Sequence, residues 1–325
     1  MKRFHKLIGI ILSLTMITLI SGCGGSSSSS PTGATGIVSL NITDAPLWKL
    51  DNKEVTEVNI AVIDIEYRHD DGSWTEADDF VPQTFNLIEL QKGNSLHLGD
   101  MVLPVGHYTE IRFILDIPEK DAEVKSNPDC NITFVERDEK GTIIDEWTEP
   151  LFVPSGGQSG YKAKCDFEIT AEAQIAITAD WDASRSVVSA GNSGKYLLKP
   201  VIRCLVTELS GWINGTVVDV AGFDANDSLV VYAYKDGIYT DNEPEDFANA
   251  VSSDFVNMTD GNFTLPYLEE GQYDLVTVNT NTTDDVIVVS VVDEEEYDID
   301  GIVIKVSKGN ETLVDVNTSD YPPTP

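Results

Sequence analysis

The chain has 325 residues, 41% of them hydrophobic and 23% charged, with a formal net charge of −34. That length and apolar content are enough for about two domains with cores of their own. The excess of acid excludes a nucleic-acid partner, which needs a basic surface, and excludes electrostatic adhesion of the body to anionic lipid.

In chain order, "MKRFHK" supplies three cations and no acid, and a short apolar run from Leu7 to Ile20 follows. A positive start, a short apolar centre and small residues after it form a secretory signal, too short for a spanning helix of roughly 20 apolar residues. Ile20-Ser21-Gly22-Cys23 resembles the bacterial lipobox. The resemblance implies cleavage after residue 22 and a diacylglycerol on Cys23, which would join the membrane through that lipid. Gly24, in place of Asp, implies the outer membrane if the cell is Gram-negative, and otherwise the cell surface. Residues 23–35 are rich in Gly and Ser, a flexible coil whose reach grows as about 5–6 Å times the square root of its length.

Beyond the tether, almost every periodic segment alternates in twos or is a short β-branched run between turn residues. The expected strands include "GIVSLNIT", "EVTEVNIAVIDIEYR", "TFNLIEL", "YTEIRFIL", "YKAKCDFEI", "AQIAITADW" and "KYLLKPVIRCLV". After residue 210 come "INGTVVDV", "SLVVYAY", "NFTLPYL", "QYDLVTV", "DVIVVSVV" and "GIVIKV", with a short helix possible at "EPEDFANAVSSDF". The pattern predicts an all-β chain of two tandem antiparallel β-sandwiches, at 36–208 and 211–315, with a loose tail at 316–325. The second segment is the more acidic, with 24 acids against 3 Lys and Arg from residue 211 onward. "LPVGHY" at 103–108 and "LEEGQY" at 268–273 share Leu-x-x-Gly-x-Tyr before a strand. Each predicts a corner where the tyrosine ring is buried, its hydroxyl bonds backbone, and Gly106 or Gly271 takes a positive φ.

Two resemblances follow from these residues. "VSLNITDAP", "VNIAVIDIEYRHDDGSW", "LPVGHYTEIRFIL", "PLFVPSGGQSGYK" and "DWDASRSVVSAGNSGKYLLKPVIR" resemble, in order and spacing, the bacterial lipoprotein family of domain of unknown function 4382. That implies β architecture and an envelope location, and no activity. The departure is a polar insert at about 119–149. "GWINGTVVD" and the Gly261-to-Leu275 motif resemble a carboxypeptidase regulatory-like, transthyretin-type sandwich, a resemblance that implies fold and almost nothing of function.

Chemistry is sparse. His69, His97 and His107 fall in no metal-binding spacing and read as turn or surface groups. "VPSGGQSG" and "AGNSGKY" lack the nucleophile-elbow and P-loop patterns and read as loops. In "DWDASRS", Trp181 is in phase with the core, the acids Asp180 and Asp182 face out, and a salt bridge to Arg185 pins the turn. Asp224, Asp227, Asp241 and Asp246 supply the oxygen ligands calcium takes, without the EF-hand pattern. Cys165 and Cys204 both lie in core phase, as a bridge or as inert small hydrophobes, with Cys130 the odd one out. Trp212, Tyr232, Tyr234 and Tyr239 are the aromatics available for a sugar. The sequence therefore points to a non-enzymatic, lipid-anchored binding or scaffolding protein, with polysaccharide or an envelope protein as partner. A carbohydrate-binding module assisted by calcium is the alternative, and a hydrolase using a carboxylate pair is the third reading.

Overall fold

Alternation and turn chemistry are realised in a computed structural model that describes residues 33–318 apart from 46, 48, 52, 117–126, 139, 155–158, 225–226, 241–246, 248, 281–286 and 293–303. Cys23 with its lipobox, Asp241, Asp246 and residues 319–325 lie outside the described residues. No helix among those described is long and apolar enough to cross a membrane.

The first half begins with β1 (Thr35–Ala45), β2 (Lys49–Leu50), β3 (Lys53–His69), β4 (Trp74–Glu76) and β5 (Gln83–Asn86). It continues through β6 (Leu96–Pro104), β7 (Gly106–Leu115), β8 (Asn127–Arg137), β9 (Ile143–Phe152) and β10 (Tyr161–Ile169). β11 (Gln174–Asp182), β12 (Val187–Ser189), β13 (Tyr196–Leu198) and β14 (Ile202–Val206) complete it. A four-stranded sheet runs β14-β11-β1-β6, and a ten-stranded one runs β10-β7-β3-β8-β9-β13-β12 with β2, β4 and β5 also on β3. The core lies between them. Val38, Leu40 and Ile42, alternate residues of β1, are fully buried, each such side chain contributing about 1.5–3 kcal/mol. Trp181 on β11 meets Phe113 on β7 across the sandwich, ring centres 5.6 Å apart.

Strands β15 (Ser210–Val218), β16 (Leu229–Lys235), β17 (Ser252–Phe255) and β18 (Asn262–Glu269) open the second half. β19 (Gly271–Asn279), β20 (Ile287–Val292), β21 (Ile304–Val306) and β22 (Glu311–Asn317) close it. A three-stranded sheet, β18-β15-β22, faces a sheet ordered β17-β16-β19-β20 with β21 on β19. Ile213, Val217 and Leu265 from the first meet Val231 and Leu275 from the second in one core. Tyr234, Phe247, Val276 and Val278 form another on the far side of β16 and β19. Among the described residues no ladder joins a strand before residue 207 to one after it.

The structure is all-β, and its elements depart from expectation in six places, the first being the tail expected to be loose from residue 316: Val316 is fully buried and pairs with Val217, and β22 runs on to Asn317. The sheets are mixed, because β1 pairs with β11, and β15 with β22, in parallel. The 119–149 insert holds the β8–β9 hairpin of the large sheet. Its Cys130, Ile132 and Phe134 are fully buried, so the polar residues around Cys130 gave no sign of its place. "TFNLIEL" is a strand only to Asn86, whose side-chain oxygen then accepts the Ile88 N–H and starts a 3-10 turn over Leu87–Leu90. "KYLLKPVIRCLV" breaks at Lys199-Pro200 into β13 and β14, which belong to different sheets; proline can donate no ladder bond. Ser252–Phe255, expected to close a helix, is strand β17.

Candidate functional site

The outer face of the three-stranded sheet is built by alternation. On β15, Ile213, Gly215 and Val217 point inward, leaving Trp212, Asn214, Thr216 and Val218 outside. A Cβ on Gly215 would stand 2.1 Å from the Phe263 ring, so only glycine lets that ring lie flat against β15. The outward residues are tied to one another. Thr264 Oγ1 donates to Asn214 Oδ1 at 2.7 Å, Asn214 Nδ2 donates to Glu311 Oε1 at 2.6 Å, and Thr216 Oγ1 donates to Asn262 Oδ1 at 3.1 Å. Leu313 stands 76% exposed beside this ladder.

At one end the pairing slips. Gly211 faces Leu268 and Ile213 faces Leu265, so Trp212 stands opposite two residues, Pro266 and Tyr267. This is a β-bulge, a device that turns a side chain to a new direction. Tyr267 takes φ 54°, a left-handed conformation uncommon for a bulky residue. Trp212, Pro266 and Tyr267 line a groove of about 470 Å³ closed on its other side by Lys92 and Gly93 of the first half. A second groove of about 580 Å³ runs over Thr216, Asn262, Leu313 and Asp315. Asn214 and Thr264 line both.

Behind Thr264 lies Asp254, 2% exposed, whose Oδ2 accepts the Thr264 N–H at 2.8 Å. Burial pushes its carboxyl up to about 6, with backbone hydrogen bonds and the charge of Lys92 pulling the other way. Sequence reading missed Asp254, Lys92 and Tyr267. The bulge that joins Trp212 to Tyr267 has no local signature, and Lys92 comes from 120 residues away.

The acids of "DWDASRS" meet a different environment. Asp182 caps the short helix α1 (Ala183–Ser186) through the Arg185 N–H and pairs with the Arg185 guanidinium at 2.5 Å. Asp180 does not face solvent as expected: it is 8% exposed and pairs with Arg203 at 2.6 Å. Asp44 is buried beside them, its carboxyl held well above the ordinary range by burial despite the bond from Ala183 N–H. Asp180, Asp182, Arg185 and Arg203 line a cavity of about 30 Å³ together with Tyr232 and Phe247 of the second half, room for about one water. A sugar does not fit there, and the two lining acids, Asp180 and Asp182, are matched by Arg203 and Arg185.

A serine, an acid and a histidine also meet on the outer face of β1 and β6. Ser39 Oγ donates to Asp100 Oδ1 at 2.5 Å, and His97 Nε2 is 3.4 Å from the same oxygen. The acid stands in the middle, so the histidine is not placed between serine and acid as base catalysis requires. His69, expected to be a solvated turn residue, is half-buried; it bonds Thr75 Oγ1 at 2.9 Å, and its ring lies tilted at 40° against Tyr108 with centres 4.3 Å apart. His107 pairs with Asp166.

Asp224 and Asp227 close a turn on themselves, the Asp227 carboxylate accepting the Asp224 N–H at 2.7 Å. Among the described residues no three His, Cys, Asp or Glu gather as a metal ion would need. Cys165 and Cys204 are joined in a disulfide, and Cys130 is outside it and buried. Of the four aromatics, Tyr234 is fully buried, and Tyr232 and Tyr239 are half-buried against Phe247 and Tyr234. Trp212 keeps 36% of its surface exposed.

Comparison with known proteins adds three findings. Residues 35–200 match a family described as a domain of unknown function (DUF4382). No curated protein matches the chain. Among solved structures, the TIE protein of Bacillus anthracis is 15% identical over 87% of this chain, which spans 33% of that protein's length, at a TM-score of 0.17. The shaft pilin SpaA of Lactobacillus rhamnosus GG is 10% identical, with 87% of this chain and 96% of that one covered, at 0.19. A candidate adhesin from Bacteroides ovatus is 10% identical, with 95% and 100% covered, at 0.22.

Proposed function

Since the chain belongs to the family of the domain of unknown function DUF4382, whose description assigns no activity, we propose from its own residues that it is an exported, non-enzymatic binding protein held at the cell envelope. The lipid on Cys23 is the anchor, residues 23–35 are the leash, and two sandwiches, at 36–208 and 211–315, form the body; the second is of the carboxypeptidase regulatory-like kind. If the cell is Gram-negative, Gly24 directs it to the outer membrane.

One observation carries the binding role. The outer face of β18-β15-β22 combines hydrogen-bonded amides and hydroxyls with an exposed tryptophan and two adjoining grooves. Sites that fix small polar ligands have this make-up, a few placed polar groups beside aromatic surface in a volume of ~300–1,000 Å³. Among the described residues, two arrangements considered for acid–base or nucleophilic work are the Asp180–Asp182 cluster and Ser39–Asp100–His97. The first is neutralised and closed, and the second is wired in the wrong order.

Replacing Cys23 by Ser tests the location. The expected result is loss of lipid labelling and release from the membrane fraction. A variant that stayed membrane-bound and labelled would sink the anchored reading.

A further inference from the structure

We infer that the groove between Trp212 and Lys92, continued over Asn214 and Thr264, is a subsite for a neutral polysaccharide chain; the inference rests on the binding role proposed above and names its ligand. Three features converge there.

The first is the bulge. It places Trp212 opposite Pro266 and Tyr267 and brings both aromatic residues to the lining of one groove. An indole face is an apolar platform with a polar N–H edge, which suits the C–H face of a pyranose ring whose hydroxyls lie at its rim.

The second is strain. Tyr267 at φ 54° and Lys92 at φ 60° are both left-handed without being glycine, and Gly93 follows at φ 76°. Holding a non-glycine residue there costs free energy, and such residues cluster at ligand clamps. Tyr267 and Lys92 both line the same groove, one from each half of the molecule. A Cβ added to Gly93 would stand 3.7 Å from the Thr264 methyl and 3.9 Å from Pro266.

The third is the donor and acceptor row. Thr264, Asn214 and Glu311 hold one another in place, so their geometry is fixed before a ligand arrives, which lowers the ordering cost of binding. A run of amide and hydroxyl groups complements sugar hydroxyls. A protein partner would want a continuous apolar centre with few charges, and here Trp212 and Leu313 are separated by the polar ladder.

Charge selects among glycans. The chain carries −34 overall and Asp315 lines the second groove, so against the single cation Lys92 on the first groove's wall the acidic field repels a polyanion and leaves a neutral chain unaffected.

The test is affinity electrophoresis of the full chain in mild detergent through gels holding amylose, laminarin, xylan or galactomannan, with polygalacturonate as the acidic arm. The expected result is retardation by at least one neutral glycan, reduced roughly tenfold in apparent affinity by Trp212→Ala and largely kept by Trp212→Phe, with unchanged thermal unfolding in both. Undiminished retardation of Trp212→Ala would overturn the subsite while leaving a binding protein. Retardation by polygalacturonate alone would overturn the neutral class. No retardation in any gel would overturn the inference outright, and the anchored binding role would then stand or fall on the Cys23→Ser fractionation and on protein partners. Should Trp212→Ala unfold, Leu313→Asp serves in its place; it sets a charge beside the second groove and is expected to weaken the same glycan.

Discussion

Cys165 lies on β10, the edge strand of the ten-stranded sheet, and is bonded to Cys204 on β14, the edge strand of the four-stranded sheet. The bond therefore ties the two layers of the first sandwich together where no ladder does. It encloses a separation of 39 residues, for which loss of the cross-link is expected to cost about 2–4 kcal/mol, mainly through the freedom regained by the unfolded chain. Urea unfolding of the Cys165→Ala/Cys204→Ala pair checks this. A midpoint equal to that of the wild type would mean the layers hold without it.

Tyr108 and Tyr273 anchor equivalent corners. Each donates its hydroxyl to the carbonyl four residues back, Tyr108 to Pro104 at 2.8 Å and Tyr273 to Glu269 at 2.7 Å. Burial pushes the Tyr108 hydroxyl up to about 12, so it stays a donor at any physiological pH. The preceding glycines differ: Gly106 takes the expected positive φ, at 158°, whereas Gly271 has none, so the glycine backbone is not what the two corners share. The corner is thus made by the tyrosine. Tyr108→Phe and Tyr273→Phe keep the rings and should each cost about 0.5–1.5 kcal/mol. Measured singly and together by urea unfolding, the losses should add, since the two corners share no partner.

Gly215→Ala should be among the most damaging changes in the second half. The added methyl would stand 2.1 Å from the Phe263 ring, and overpacking of this kind costs about 1–3 kcal/mol. Thermal unfolding of Gly215→Ala against Thr216→Ala separates the clash from a simple change on the same strand. Equal melting temperatures would show that the ring can move aside.

Asp254 predicts a pH dependence with a definite sign. Its carboxyl is raised to about 6 in the fold from an unfolded value of about 3.9. The folded chain thus binds the proton more tightly than the unfolded chain does. The resulting stabilisation is complete below the unfolded value and is lost as pH rises through about 6. Asp254→Asn keeps an oxygen for the Thr264 N–H and cannot ionise. Relative to wild type, it should gain on the order of 2 kcal/mol of stability between pH 4 and pH 7. Asp44 and Asp180 shift in the same direction, so the difference between variant and wild type is the quantity to read. Parallel pH curves for the two proteins would refute the buried-carboxyl account.

What the sequence by itself determined was local. Period-two alternation marked most strands, because a residue two along returns to the same face whatever the strand pairs with. The Leu-x-x-Gly-x-Tyr echo marked both tyrosine corners, because that bond spans only four residues. The phase of Cys165 and Cys204 put both toward a core and left open whether they were bonded. Tertiary structure decided the rest. It made β1 and β11 parallel neighbours, split "KYLLKPVIRCLV" between two sheets, and buried Cys130 in a stretch whose polarity suggests exposure. It also chose among the aromatics, covering Tyr232, Tyr234 and Tyr239 and leaving Trp212 at a bulge opposite Tyr267. Strand pairing and inter-layer packing join residues tens to more than a hundred positions apart, and no local pattern encodes which distant strand will supply the partner.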